Sequence, residues 1–119
     1  MNGEHIYHAR CLWQGSTAGG YLDYPREHVA SAPPSRDVVT LSSDPAFFGR
    51  AEQLNPEQLV VMAAASCQLL SFLAVAAGTS EVKVRHLVDV AHRECYIANS
   101  LRAEVTVDPS IEVESAAGD

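Results

Sequence analysis

Two of the three cysteines lie in segments that could bring their thiols together. Cys67 lies deep in an almost wholly apolar helical pattern over residues 54–72, and Cys95 lies near the end of a later helical pattern over residues 90–100. A thiolate attacks peroxide oxygens and disulfides, and a second thiol can then close a disulfide with it. A thiol kept from water beside a second thiol therefore indicates redox chemistry on an apolar substrate.

The residues next to Cys67 give this thiol no obvious activation. Cys67 is far from the N-terminal end of its helix, and burial alone raises a thiol pKa. A nucleophilic Cys67 would need a positive charge from elsewhere, for which arginine is suited because it stays charged when desolvated. The alternative is a cysteine that packs as a small apolar residue among alanines.

The long helix around Cys67 has complete start and stop signals. Asn55 is the expected N-cap, Pro56 takes the first helical position, Gln58 closes a capping box, and Gly78 ends the helix. Apolar residues surround the helix almost completely, so every side of it must be covered. Three short strands can cover one side, and we therefore predict an obligate homodimer.

Glu57 at the second helical position has two readings. It can complement the helix dipole, or it can hold an arginine in place. Ten residues separate Glu57 from Cys67, which corresponds to about 15 Å of helix rise. If both residues serve one site, Glu57 is expected to come from the partner chain.

The remaining pattern predicts a small sheet and a second helix. Strands are expected over residues 5–13, 21–29 and 37–41, and a last strand over residues 101–107. A second helix from about Ser80 carries one apolar stripe, formed by Val84, Leu87, Val88, Ala91 and Cys95. Strands, then helices, then a strand predict a single α+β domain over residues 1–119, with a flexible tail at 114–119.

Composition excludes several other classes of function. The net charge is −7 and the seven arginines and one lysine are scattered, which argues against nucleic-acid binding. Two His-x-x-Cys pairs suggest zinc, but odd spacing on a strand sends His8 and Cys11 to opposite faces, so no metal site is expected.

A membrane span is disfavoured by Gln68 within the apolar stretch and by the absence of Lys or Arg at its ends. The N-terminal sequence has no secretory pattern, so we expect the cytoplasm.

Four segments together resemble the OsmC/Ohr family of organic hydroperoxide reductases. They are Asn55-Pro-Glu-Gln-Leu, Ala65-Ser-Cys67, Ala91-His-Arg-Glu-Cys95-Tyr-Ile-Ala-Asn-Ser and, upstream, Ser42-Ser-Asp-Pro-Ala-Phe-Phe-Gly. The resemblance implies an antiparallel sheet packed on a long central buried helix and a second helix, in an intertwined homodimer. A strand hairpin that joins the two helices in the family is missing near residues 78–80.

The resemblance also implies a two-cysteine peroxidase without a cofactor. Cys67 matches the peroxidatic cysteine, Cys95 the resolving cysteine, and Glu57 the carboxylate that orients an arginine. Arg26 is the best match for that arginine, with Arg10 and Arg50 as alternatives. The implied substrate is an organic hydroperoxide, and the implied reductant is a dithiol such as a lipoyl group. Apolar residues near the site are expected to bind the substrate: Phe47, Phe48, Met62 and Leu70.

Two other functions stay open at this point. A dimeric OsmC-like protein without catalysis could bind a small hydrophobic ligand at its interface, and a thiol-based redox sensor would use the same cysteines with a partner. Rapid alkylation of Cys67 at neutral pH would favour catalysis, whereas slow alkylation would favour a packing role.

Overall fold

The computed structural model describes residues 4–78 and 84–112. Its elements, in chain order, are β1 (Arg10–Leu12), β2 (His28–Ser31), β3 (Val38–Leu41), α1 (Pro56–Ala76), α2 (Val84–Glu94) and α3 (Tyr96–Ser100). The strands form one antiparallel sheet in the order β1-β2-β3. This arrangement confirms the predicted α+β class.

The chain divides into two compact units, residues 1–59 and residues 60–119. The first unit contains the sheet and the start of α1, and the second contains the rest of α1 with α2 and α3. The expectation of a single domain over residues 1–119 stays a prediction.

The sheet is smaller than the sequence predicts. Its first strand covers Arg10–Leu12 instead of 5–13, and its second begins at His28 instead of 21. A turn closed by the Asp23 amide, which donates to the Gly20 carbonyl, takes up the start of the predicted second strand. The third strand is close to its predicted bounds, and it pairs His28 with Leu41 at one end. Apolar composition therefore marks the strand positions, while turn hydrogen bonds set their ends.

The loop that leads from β3 to α1 contains a 3-10 turn, Pro45–Phe47. The Asp44 carboxylate accepts a hydrogen bond from the Ala46 amide and begins this turn. Glycine is required at position 49, because a Cβ there would lie 1.7 Å from the Ser43 carbonyl oxygen. The loop thereby presents Phe47 and Phe48 at the surface of the first unit.

The start and the end of α1 are confirmed. The Asn55 amide donates to Gln58 Oε1 and the Gln58 amide donates to Asn55 Oδ1, both at 2.9 Å, which completes the predicted capping box. The helix ends at Ala76, and Gly78 follows with a φ of 75°, a left-handed conformation that favours glycine.

In a single chain, α1 is not a buried helix. None of its residues is fully buried, and its large apolar side chains Val60, Val61, Met62, Leu69, Leu70 and Leu73 are 48–68% exposed. By length and composition alone the helix could cross a membrane, but the core helices of soluble proteins can have the same length and composition. Such an uncovered apolar surface is typical of a helix that packs against something outside its own chain.

The second helical region is broken at Cys95, where the sequence predicts a continuous helix. Of the predicted apolar stripe, Val88, Ala91 and Cys95 are buried and Leu87 is half-buried. The chain then leaves the helix at Cys95, which becomes the N-cap of α3. The Asn99 side-chain amide donates to the Arg93 carbonyl at 2.8 Å and satisfies an acceptor at the end of α2.

Residues 101–112 do not form the predicted last strand. No strand pairing is present there in the described part of the chain. Leu101, Val105, Val107 and Ile111 are nevertheless half-buried, while most residues between them are exposed. Alternation therefore predicts the inward face of this segment correctly, but it cannot specify a neighbouring strand that would pair with its backbone.

Three expectations lie wholly or partly outside the described residues. The missing family hairpin would be placed at 78–80, of which only Gly78 is described, and the predicted helix start near Ser80 precedes the described start at Val84. The predicted flexible tail at 114–119 also lies outside the described range.

Candidate thiol redox site

The second unit brings Cys67 and Cys95 close together. Cys67 lies in the fourth turn of α1 and is half-buried, whereas Cys95 lies between α2 and α3 and is 1% exposed. The Cys95 thiol donates a hydrogen bond to the Cys67 sulfur. Both cysteines are free thiols. The two sulfur atoms are therefore neighbours, as the formation of a disulfide between them requires.

The pKa of the Cys67 thiol is lowered from its ordinary value. The largest cause is a hydrogen bond from the Ile97 backbone amide, followed by the hydrogen bond from Cys95; burial opposes them and raises the pKa, and smaller hydrogen bonds come from the Tyr96 amide and the Ser71 hydroxyl. Donors aimed at a sulfur stabilise the thiolate over the thiol. Within the second unit, hydrogen bonds thus lower the pKa of the Cys67 thiol.

This finding corrects the expectation that nothing near Cys67 lowers its pKa. Except for Ser71 on α1 itself, the donors belong to the N-cap and first turn of α3, about thirty residues further along the sequence. Backbone amides in the first turn of a helix have no partner within the helix, so they are available to an acceptor from another element. The helix break at Cys95 leaves these amides free to donate. In the sequence, the only indication of this break is Asn99, which lies on the C-terminal side of Cys95.

Cys95 also caps α3 through its own side chain. Its sulfur accepts a hydrogen bond from the Ala98 amide at 3.5 Å. Because Cys67 accepts from Tyr96 and Ile97, the two cysteine sulfurs share the free amides at the start of this short helix. Both sulfurs therefore accept hydrogen bonds at the N-terminal end of α3.

A cleft of about 710 Å³ lies beside Cys95 in the second unit. Its walls come from α1, α2, α3 and the extended segment 101–112, and most of its lining side chains are apolar, including Val61, Leu69 and Phe72. Glu104, Asp108 and Glu112 also line it, with no lysine or arginine among the described lining residues. Such a cleft suits an uncharged apolar molecule better than an anion.

Gln68 and His92 also line this cleft and were not assigned a role by the sequence. The Gln68 side-chain amide donates to the Val88 carbonyl at 3.2 Å. Gln68 Oε1 and His92 Nδ1 are buried and have no hydrogen-bond partner among the described residues. A glutamine inside an apolar helix was the available sequence signal for Gln68.

Arg26 lies in the first unit, at the centre of an aromatic cluster formed by Tyr21, Tyr24 and Phe48. Its guanidinium carbon is 3.8 Å from the centroid of the Tyr24 ring, 4.9 Å from that of Tyr21 and 5.4 Å from that of Phe48. The guanidinium also donates to the backbone carbonyls of Tyr21 and Tyr24. These contacts hold the side chain in one place within its own unit.

The other predicted charged residues are spread over the first unit. Arg10 is exposed on β1, and Glu57 is exposed in the first turn of α1. Arg50 forms an ion pair with Glu27, with 3.4 Å between Nε and Oε1. None of these contacts involves a sulfur atom, and the assignment of an arginine partner to Cys67 stays a prediction.

The predicted substrate-binding residues lie at the surface. Phe47 and Phe48 are 55% and 56% exposed in the first unit, and Met62 and Leu70 are 51% and 64% exposed on α1. None of the four lines the cleft beside Cys95. Within the described residues, no group of three or more His, Cys, Asp or Glu side chains could hold a metal ion.

Comparison of the fold with solved structures finds an OsmC-like protein of unknown function from Vibrio cholerae O1 biovar eltor. The match has a TM-score of 0.71 at 20% sequence identity, and it covers 85% of this chain and 96% of the other. No family model matches the sequence, and no curated protein matches it. The chain therefore has an OsmC-like fold, which confirms the predicted architecture at the level of the fold.

Proposed function

We propose that this protein is a thiol-dependent peroxidase that reduces organic hydroperoxides to alcohols. The observation that carries the proposal is the pairing of Cys67 with Cys95 at the start of α3, where hydrogen bonds lower the pKa of Cys67. The OsmC-like fold supports it. A lowered thiol pKa next to a second thiol is what a two-cysteine mechanism needs at neutral pH.

In the first step, the Cys67 thiolate attacks the distal oxygen of the hydroperoxide. The O–O bond breaks, the alkoxide takes up a proton and leaves as an alcohol, and Cys67 becomes a sulfenic acid. The peroxide is reduced by two electrons and Cys67 is oxidised by two. The amides of Ile97 and Tyr96 hold the thiolate in place before the attack.

In the second step, the Cys95 sulfur attacks the sulfenic sulfur of Cys67. A disulfide forms, and the hydroxyl group of the sulfenic acid leaves with the thiol proton as water. An external dithiol then reduces this disulfide by thiol–disulfide exchange and is itself oxidised to a cyclic disulfide. We place this cycle in a reducing cytoplasm, and a lipoyl-type dithiol is the proposed reductant.

A second copy of the chain is part of the proposal. The uncovered apolar side chains of α1, 48–68% exposed, need a cover, and a homodimer is the simplest source of one. In that homodimer, we propose that Arg26 and Glu57 of one copy support the thiolate of the other, with the hydrophobic residues Phe47, Phe48, Met62 and Leu70 close to the substrate.

The test is consumption of cumene hydroperoxide with dihydrolipoamide as reductant. Cys67→Ser should reduce turnover to the background rate, because in this mechanism only the Cys67 sulfur accepts the distal oxygen of the hydroperoxide. Cys95→Ser should slow turnover and make it depend strongly on the thiol supplied, since an external thiol must then resolve the sulfenic acid. Equal rates for the natural chain and both variants would remove the proposed activity.

A second candidate function is favoured by the cleft beside Cys95. Its volume of about 710 Å³ and its mainly apolar walls suit a small uncharged ligand held without chemistry. Alkylation of Cys67 with iodoacetamide at neutral pH separates the two functions. Rapid labelling in the folded protein supports the peroxidase, and labelling only after unfolding supports the binding protein.

A further inference from the structure

Gln68 interrupts the apolar sequence of α1 immediately after Cys67. Its Nε2 donates to the Val88 carbonyl on α2 at 3.2 Å, and Val88 is only 8% exposed. Its Oε1 is buried without a hydrogen-bond partner among the described residues. A buried amide oxygen without a partner lowers stability, whereas an apolar side chain of similar length would avoid that penalty. Stability alone therefore does not account for this glutamine.

The Gln68 hydrogen bond gives α2 a second point of attachment to α1. Cys67 and Gln68 are adjacent on α1, and the first contacts Cys95 while the second contacts Val88. Val88 and Cys95 are seven residues apart, which corresponds to about 10 Å along a helix. A hydrogen bond at this distance from the sulfurs opposes rotation of α2 about Cys95, and it adds to the packing of the buried Val88 and Ala91.

We infer that Gln68 is a positioning residue whose hydrogen bond to Val88 holds Cys95 in line to close the disulfide with Cys67. This inference rests on the proposed function, and it concerns the second step. The step itself forms the bond between the two sulfurs and releases water from the sulfenic acid and the thiol proton. Gln68 takes no part in that bond formation. Its hydrogen bond sets the fraction of molecules in which the Cys95 sulfur faces Cys67.

The test uses Gln68→Met, which keeps the length of the side chain and removes the donor. The matched control is Gln53→Met, because Gln53 of the first unit also has a buried Oε1 without a partner among the described residues. Each reduced protein receives one equivalent of cumene hydroperoxide in the presence of dimedone, which captures sulfenic acids. Mass spectrometry then gives the ratio of dimedone-labelled Cys67 to Cys67–Cys95 disulfide.

We expect Gln68→Met to raise this ratio about two- to tenfold, the range set by the loss of one hydrogen bond. The rate of peroxide loss in the first turnover is measured in the same samples, so that the ratio reports the second step separately from the first. The thermal unfolding midpoint should stay the same or rise. Gln53→Met should match the natural chain in its ratio. An unchanged ratio in Gln68→Met would overturn the inference.

Gln68→Glu gives a second readout that a purely structural role would not show. Above the pKa of the new carboxyl group the side chain has no proton to donate to Val88, so closure should be slow. As the pH falls the carboxyl group becomes protonated and can donate, so the closure rate relative to the natural chain should recover. Other titratable groups line the same cleft in both proteins, and the natural chain is therefore measured over the same pH range: His92, Cys95, Glu104, Asp108 and Glu112. A relative rate that does not change with pH would contradict the inference.

Failure of the proposed function and failure of this inference give different results. If cumene hydroperoxide leaves the natural chain reduced, the peroxidase proposal fails. Diamide, a general thiol oxidant, then closes the same disulfide without a peroxide. Slower closure by diamide in Gln68→Met than in Gln53→Met would still support the positioning role, and equal closure rates would overturn it.

Discussion

The two units hold their charged or chargeable groups in opposite ways. In the first unit, the Arg26 guanidinium donates to backbone carbonyls and stacks on the rings of Tyr21, Tyr24 and Phe48. In the second, the Cys67 sulfur accepts hydrogen bonds from backbone amides and from Cys95. Backbone acceptors thus hold a cation in one unit, and backbone donors stabilise an anion in the other.

This difference shows that hydrogen bonds alone can lower the pKa of a thiol, without a positive side chain in its own unit. The causes that lower the pKa of Cys67 are hydrogen bonds, and most of them come from the start of α3. Arginine is a natural first choice for a desolvated thiolate because its charge persists. Free amides at a helix start provide the same direction of effect through the backbone.

The largest expected effect separates the cysteines of the two units. Cys67→Ser should abolish peroxide turnover, whereas Cys11→Ser should leave it unchanged, because Cys11 is exposed on β1 of the first unit. The measurement is the rate of cumene hydroperoxide loss with dihydrolipoamide. If Cys11→Ser lost turnover while Cys67→Ser kept it, the reactive thiol would lie in the first unit, which would contradict our account.

The next effect concerns the stability of the first unit. Arg26→Ala removes the guanidinium from three aromatic rings and from two carbonyls, so we expect the free energy of unfolding to fall by about 1–3 kcal/mol. Urea denaturation gives this value. Arg36→Ala is the control, since Arg36 is exposed, and equal losses in both variants would show that the aromatic contacts contribute nothing measurable.

The capping box of α1 should have a smaller effect. Asn55 is 8% exposed, and its side chain accepts from the Gln58 amide. Asn55→Ala should reduce the free energy of unfolding by about 1 kcal/mol, while Asn55→Asp should keep most of it, because aspartate accepts the same hydrogen bond. If both variants have the stability of the natural chain, the cap does not stabilise α1.

The smallest effect is a shift in the pH profile of Cys67. Because the folded protein lowers the pKa of this thiol, its alkylation rate should reach half-maximum at a lower pH than in the urea-unfolded chain. Ser71→Ala removes the weakest of the donors and should move that midpoint slightly upward. Iodoacetamide labelling followed by mass spectrometry measures both, and a folded midpoint at or above the unfolded one would contradict the hydrogen-bond account.

A folded-state pKa below the unfolded value also has a consequence for stability. The thiolate form then contributes stability that is fully present above the unfolded pKa of the thiol and is lost as the pH falls through the folded pKa. The difference in unfolding free energy between the natural chain and Cys67→Ser should therefore become more favourable to the natural chain as the pH rises through this window.

Local signals in the sequence predicted the parts of the fold that depend on local chemistry. The capping box at Asn55 and Gln58, the end of α1 at Gly78 and the apolar stripe of α2 are set by residues within a few positions of one another. The inward face of residues 101–112 follows from alternation in the same way. The OsmC-like fold itself was recognised from short motifs spread over the chain.

Features that depend on distant contacts could not be predicted in this way. The lowered pKa of Cys67 depends on amides from residues 96 and 97, and those amides are free only because the helix breaks at Cys95. The strand predicted at 101–107 lacked a partner, which alternation cannot supply. The hydrogen bond from Gln68 to the Val88 carbonyl, twenty residues away, likewise depends on a contact distant in sequence.

The measurement that tests the central claim most directly is mass spectrometry of the reduced protein after one equivalent of cumene hydroperoxide. Our account predicts one Cys67–Cys95 disulfide per chain, with Cys11 still a free thiol and one equivalent of alcohol formed. Recovery of unreacted hydroperoxide with both Cys67 and Cys95 still reduced would contradict it.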